Sequence, residues 1–210
     1  MHRVSVADIV ARLQQLSAAR IDLERVAGIV GDGPLDEDSL RPFVHPRADR
    51  YARHLVYRSP LFDVMVLTWM PGQVTPIHNH AGNLGWIRLV RGKMREDRFR
   101  LVSGAGACAE RVGGRASALD LEVAGDVAPD CRGVRLKPAG TRVFSKTGAV
   151  ATVDRQRAIH RIGNPRENAK DDLMVTLHVY SRPHDSCLVF DERTGACSRR
   201  ELKFDNTAVV

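Results

Sequence analysis

The chain has 210 residues, 43% of them apolar and 27% charged, a globular composition with enough length to bury a core, which excludes disordered and fibrous classes. No apolar run approaches the ~18 residues of a membrane helix, and no basic-then-apolar leader opens the sequence, so neither a membrane nor a secreted protein is expected. The formal charge of +7 would attract nucleic acid or small anions alike, yet its 32 Lys and Arg are scattered and no zinc-finger, RNA-binding or zipper signature accompanies them, so no nucleic-acid partner is expected.

At the N-terminus, Val6, Ile9, Val10, Leu13 and Leu16 recur at the spacing of one helix face, and Ser5 with Asp8 resembles a capping box. A turn-rich break at 31–38 precedes a short helix with Leu40 and Phe43 inward, which ends before Pro46. Residues 1–48 thus read as a helical cap. From Tyr51 the period changes to two, with Tyr51, Arg53, Leu55 and Tyr57 on one strand face. Further strands are expected at 62–69, 86–90, 94–102, 119–123, 134–136, 141–144, 150–153, 158–162, 173–180, 187–190 and 200–204. Many short strands punctuated by Gly, Pro and Asn predict a mostly β, antiparallel sandwich or barrel over 49–210, in a single domain. Residues 103–133, rich in Gly and Ala, lack the third glycine of a dinucleotide fingerprint and read as an excursion inserted between strands. The four cysteines, Cys108, Cys131, Cys187 and Cys197, form no C-x-x-C pair and read as reduced thiols, which points to a cytoplasmic location.

The chemistry concentrates in three places. His78 and His80 are one residue apart, and on a strand such positions share a face about 7 Å apart, so both imidazoles can chelate one metal. Gly72, six residues before His78, and Gly92, twelve after His80, complete a stretch that resembles the first motif of the cupin superfamily. The carboxylate usual in that motif would fall near Leu84 or Gly85, neither of which can ligate, so a third ligand must come from elsewhere. His160 is the best candidate, because on its strand it shares a face with Ala158 and Ile162 while Arg157, Ile159 and Arg161 take the other. Three neutral imidazoles would leave the full charge of a divalent metal, which favours an anionic ligand such as a thiolate. On the strand at 173–180, Leu173, Val175, Leu177 and Val179 face one way and Met174, Thr176, His178 and Tyr180 the other. The polar row can pass a hydrogen bond to the phenol, and it is equally compatible with a buried His–Tyr pair of structural use.

The blocks Y-A-R-H (51–54), T-P-I-H-N-H (75–80), A-I-H-R-I-G-N (158–164) and T-L-H-V-Y-S-R-P-H-D-S-C-L-V-F-D-E-R-T-G (176–195) together resemble the cysteine dioxygenase family of cupin-fold, mononuclear iron thiol dioxygenases. The resemblance implies a cupin barrel, with Fe(II) held by His78, His80 and His160 and no flavin or nicotinamide. It implies that Arg53 grips the substrate carboxylate with Tyr51 assisting, that Tyr180 is the active-site tyrosine, and that His178 orients it. Thr176, where a serine is usual, and Cys187 would stand behind the residues that touch substrate. The substrates would be a small thiol and O2, first L-cysteine giving cysteine sulfinic acid, and the protein a monomer. Gly85 sits where animal members carry a cysteine linked to the tyrosine, so that thioether cannot form here. Arg182 replaces a proline of the family's segment. A trans bond is expected before it, and its cation could favour a second substrate carboxylate. Mercaptosuccinate, on the strength of Arg182 and the insertion, and 3-mercaptopropionate, which Arg53 favours less than cysteine, are alternative substrates, and a non-catalytic or isomerase metal-binding cupin is the rival class. His2 reads as a terminal residue, His45 and His54 as surface or cap residues, and His184 as a loop residue near the site rather than a ligand.

Overall fold

The computed structural model describes residues 3–103, 133–154, 159–166 and 172–206. The helix α1 (Val6–Gln14) starts where its cap dictates: Asp8 N–H donates to Ser5 Oγ at 3.1 Å and Ser5 N–H to Asp8 Oδ2 at 2.9 Å. Val6, Ile9, Val10 and Leu13 are buried, as the spacing requires. A single 3-10 turn (Ala18–Arg20) leads into a helix that the periodicity did not reveal, α2 (Leu23–Gly31), capped by Asp22 and burying Val26 and Val30. The expected short helix is a 3-10 segment, Glu37–Phe43, with Leu40 and Phe43 inward.

The described strands are β1 (Ala52–Arg58), β2 (Phe62–Trp69), β3 (Ile77–His78), β4 (Gly85–Arg91), β5 (Met94–Ser103), β6 (Arg135–Phe144), β7 (Val150–Val153), β8 (His160–Gly163), β9 (Met174–Ser181), β10 (Ser186–Asp191) and β11 (Ala196–Glu201). They form two antiparallel sheets ordered β1-β2-β9-β4-β7 and β11-β10-β3-β8-β5-β6, the cupin-type architecture expected. The strands expected at 134–136 and 141–144 are one strand, β6. The last strand begins at Ala196 rather than Arg200 and ends at Glu201. The excursion joins β5 to β6, which pair from Met94↔Phe144 out to Ser103↔Arg135. The strand expected at 119–123, together with Cys108, Cys131, Arg157 and Ala158, lies outside the described residues.

Alternation on the central strands decides what faces what. In β9 and β2, Val175, Leu177, Val179, Val64 and Val66 pack against α1 and α2, each burial being worth about 1.5–3 kcal/mol. Their neighbours Met174, Tyr180, Met65, Leu67 and Trp69 turn inward, where they meet Ile162 of the second sheet. On β1 the shared face breaks, because pairing with β2 slips between Leu55 and Tyr57. Tyr51 joins the inward cluster and Tyr57 the helix-side one. Arg88, buried on the helix side of β4, donates to the carbonyls of Val30, at 2.8 Å, and Gly33, at 2.6 Å, and so ties the end of α2 to the sheet. Among the described residues no helix is long and apolar enough to cross a membrane.

Candidate metal centre

The second sheet brings the three histidines together. His78 on β3 pairs directly with His160 on β8 and with Val189 on β10. His80 is not on the strand with His78, as the period of two implied: β3 ends at His78, and Ala81 and Gly82 adopt positive φ of 49° and 69°. The intervening Asn79 is pinned through both its backbone N–H, which donates to Leu188 O at 3.1 Å, and its Oδ1, which accepts from Leu188 N–H at 2.9 Å. The ring centroids nevertheless converge at 4.9 Å (78–80), 5.0 Å (78–160) and 4.8 Å (80–160). One nitrogen from each ring lies within 4.8 Å of the other two. No carboxylate belongs to this group among the described residues.

Hydrogen bonds behind two of the rings fix which nitrogen faces the centre. His78 Nδ1 lies 3.0 Å from Pro76 O, and His160 Nδ1 lies 2.9 Å from Glu96 Oε1. A carbonyl and a carboxylate can only accept, so Nδ1 carries the proton in both rings and Nε2 presents a lone pair. The Nε2 of His160 is buried with no hydrogen-bond partner, a costly state that a metal would relieve. Burial, reinforced by the neighbouring His160, pulls the pKa of His78 down to about 3, so it is a neutral donor at pH 7. The residues therefore fit a divalent metal.

Glu96 lies on the strand expected at 94–102, but the sequence assigned it no role. It shares a strand face with the wholly buried Met94, and this parity was the available signal. Burial alone would raise its pKa, but hydrogen bonds from His160 and Arg142 hold it below the usual carboxylate value.

Beside the histidines lies a small cavity of about 50 Å³ that opens to solvent. Arg53, on β1, lines it with a guanidinium that rests 3.4 Å from Met65 Sδ and over the Phe204 ring at 5.3 Å. Among the described residues no carboxylate forms an ion pair with Arg53. Tyr51 also lines the cavity, stacked on Trp69 at a centroid distance of 4.5 Å.

From β9 comes the expected polar row. Trp69 Nε1–H donates to Thr176 Oγ1 at 3.0 Å; Thr176 Oγ1 and His178 Nε2 are 2.9 Å apart, and His178 Nδ1 and the Tyr180 hydroxyl 3.0 Å. Burial, then Arg53, pushes the pKa of His178 well below its usual value, so the ring is neutral with one proton. The buried threonine proton has His178 Nε2 as its acceptor in this chain of contacts, which leaves the ring proton on Nδ1 to donate to the phenolic oxygen. The Tyr180 proton is then free to point into the cavity. Burial raises the phenol's pKa, keeping that proton in place, and the ring stacks beside His80 at 5.4 Å. Gly85, across from Tyr180 on β4, is what lets the ring lie there: a Cβ would meet its Cε1 at 2.9 Å.

Cys187 is buried and lines the cavity, and Thr176 stands one hydrogen bond behind His178. The structure does not bring Arg182 to the cavity. Its side chain is exposed, its φ is +66°, and its backbone N–H is spent on Leu61 O at 2.7 Å. The bond preceding it is trans, as expected. His184, expected near the site, lines the cavity edge-on to Tyr180 at 5.3 Å, and so does the exposed Arg200, to which the sequence assigned no role. Burial, then Arg53, lowers the pKa of His184 to about 4. His54, expected as a surface or cap residue, is buried against His45 at a centroid distance of 5.3 Å.

The family model described as "Cysteine dioxygenase type I" matches residues 1–113. Cysteine dioxygenase type 1 from Homo sapiens is 24% identical over 202 residues, covering 95% of this chain and 86% of the relative. The protein of the same name from Danio rerio is 24% identical over 207 residues, with the same coverages. Among solved structures, a double-stranded beta-helix protein from Klebsiella pneumoniae subsp. pneumoniae aligns at 14% identity with a TM-score of 0.42, covering 73% of this chain and 95% of that one. A Thermus thermophilus protein aligns at 15% with a TM-score of 0.41, covering 68% and 93%.

Proposed function

The chain belongs to the cysteine dioxygenase type I family, and on that premise we propose that it is an Fe(II)-dependent dioxygenase of a small carboxylated thiol, L-cysteine first. The reaction is R–SH + O2 → R–SO2H, with both oxygen atoms delivered to sulfur. The observation that carries this reading is the conjunction of three converging imidazoles, an Arg53 with no carboxylate partner among the described residues, and a phenol, held by His178, that lines the same cavity.

His78, His80 and His160 would hold the metal as neutral donors. A bound ferrous ion would supply the Lewis acidity that deprotonates the thiol and the electrons that activate O2. Arg53 would take the substrate carboxylate through two parallel N–H donors, which fixes the position of the sulfur relative to the histidines. Tyr51 would pack beside that carboxylate, and Tyr180 would donate its hydroxyl proton to the reacting groups. Oxygen uptake by the iron-loaded protein, with sulfinate quantified, tests the reading against L-cysteine, 3-mercaptopropionate and mercaptosuccinate. One-to-one uptake and sulfinate formation with a carboxylated thiol is the expected result; no turnover of any of the three would overturn it. Arg200, which lines the same cavity, favours mercaptosuccinate as the second reading, because that substrate carries one more carboxylate than Arg53 can hold.

A further inference from the structure

The carboxylate missing from the H-x-H motif has a counterpart one hydrogen bond away. Glu96 on β5 is buried, its side chain 2% exposed, and its Oε1 accepts from Nδ1 of His160 at 2.9 Å. Its other oxygen, Oε2, accepts from Arg142 on β6 through Nε at 2.9 Å and Nη2 at 2.6 Å. The Arg142 side chain is 44% exposed, so the chain Arg142–Glu96–His160 runs from the surface to the histidine cluster. The two strands are registered for this: Glu96 pairs with Arg142, and two residues further along β5 Arg98 pairs with His160 on β8.

We propose that Glu96, clamped by Arg142, is a positioning residue for the metal centre: it locks the orientation and tautomer of His160 and makes its Nε2 a stronger donor. The physical grounds are general. An imidazole on a strand can rotate about its Cα–Cβ and Cβ–Cγ bonds and carry its proton on either nitrogen. A carboxylate that can only accept removes both freedoms at once and pushes electron density toward the far nitrogen. The carboxylate itself needs a fixed orientation, and a guanidinium that grips it through two N–H groups supplies one. The charge stays out of the ligand set, so three neutral imidazoles still face an anionic thiol while the carboxylate acts from behind. His78 is held by a neutral carbonyl instead, so the two rings are not equivalent as donors.

This inference rests on the three histidines being metal ligands, not on the identity of the thiol. Its test is anaerobic Fe(II) affinity, measured by competition with a chromophoric chelator. The full-length protein is compared with Glu96→Ala, Glu96→Gln and Arg142→Gln, and unfolding of each metal-free form is followed alongside. Glu96→Ala is expected to weaken Fe(II) binding by about 10- to 100-fold, the usual cost of losing such a partner. Glu96→Gln keeps the shape without the charge and is expected to lose affinity by a smaller factor, and Arg142→Gln, at a half-exposed position, by several-fold. A merely structural role would lower the unfolding midpoints and leave the affinity of the folded protein within twofold of the parent. That result in the variants that fold would overturn the proposal. Should Glu96→Ala fail to fold, Glu96→Gln and Arg142→Gln decide the matter on the same criterion. If the parent itself bound no Fe(II), the metal-centre reading would fail first.

Discussion

Replacing Arg53 by glutamine separates substrate recognition from everything else the site does. The side chain is buried, yet its contacts are weak: a thioether sulfur at 3.4 Å and an aromatic face at 5.3 Å. Removing the guanidinium should therefore cost only about 1–2 kcal/mol of folding stability. Its loss should be felt by a substrate carboxylate, for which a hydrogen bond to a charged group contributes roughly 1.5–3 kcal/mol, or about 10- to 150-fold in kcat/KM. Cysteamine lacks the carboxylate and serves as the control. Oxygen uptake with L-cysteine should fall by that factor in Arg53→Gln, while any activity on cysteamine and the bound iron stay near parental values. A fall of less than about threefold with cysteine, or a parallel fall with cysteamine, would refute the carboxylate role of Arg53.

Further outcomes follow from the same geometry. His160→Ala should lose bound iron on gel filtration, read by metal analysis, with the helical cap and sheets intact by circular dichroism. Tyr180→Phe keeps the ring and removes the proton donor, so turnover should drop by about 10- to 150-fold while iron content is unchanged. Gly85→Ala places a Cβ 2.9 Å and 3.0 Å from two Tyr180 ring carbons, and the ring must shift, costing about 1–3 kcal/mol in thermal unfolding and loosening its 3.0 Å contact with His178. The metal-free protein should be acid-sensitive. Burial depresses the pKa of His78 to about 3, of His184 to about 4, and of His178 well below its usual value. Below the unfolded-state value of about 6.5 the unfolded chain takes up protons that the folded one refuses, so stability falls with decreasing pH. The slope approaches about 1.4 kcal/mol per pH unit for each of the three histidines, over a window from about 6.5 down to about 4. Urea midpoints of the chelated protein that stay flat between pH 7 and pH 5 would contradict the burial of these rings.

The parts of the fold most legible in the sequence were α1, with its one buried face, and the runs dense in apolar and β-branched residues, such as β2 and β9, which are buried on both faces. Strands β2 and β7 have the expected bounds, and β9 is displaced by one residue, because alternation against the helices fixes their parity. Helix α2 escaped notice because Gly28 and Gly31 interrupt a segment with only two fully buried positions, and its Asp22 cap was the one local sign of it. Strand β11 was displaced because A-C-S-R-R-E carries almost no apolar signal; its pairing to β10 along the whole of Ser186–Asp191 is a backbone matter. In the site, His78 and His160 share a register pair that their strand context foreshadowed, whereas His80 reaches the centre through a turn that no periodicity encodes. Arg182 was misplaced because sequence proximity to Tyr180 does not say which way a positive-φ residue points. Glu96 and Arg200 are contributed by strands distant in sequence, and only the packing of the two sheets brings them to the histidines and the cavity.

X-ray absorption at the iron edge, on the anaerobic ferrous protein before and after addition of L-cysteine, tests the metal centre most directly. Three imidazole nitrogens as the protein's whole contribution, with a sulfur neighbour arriving on addition of the thiol, is the predicted result. A protein carboxylate oxygen bound to iron, or a coordination sphere that never acquires sulfur, would contradict it.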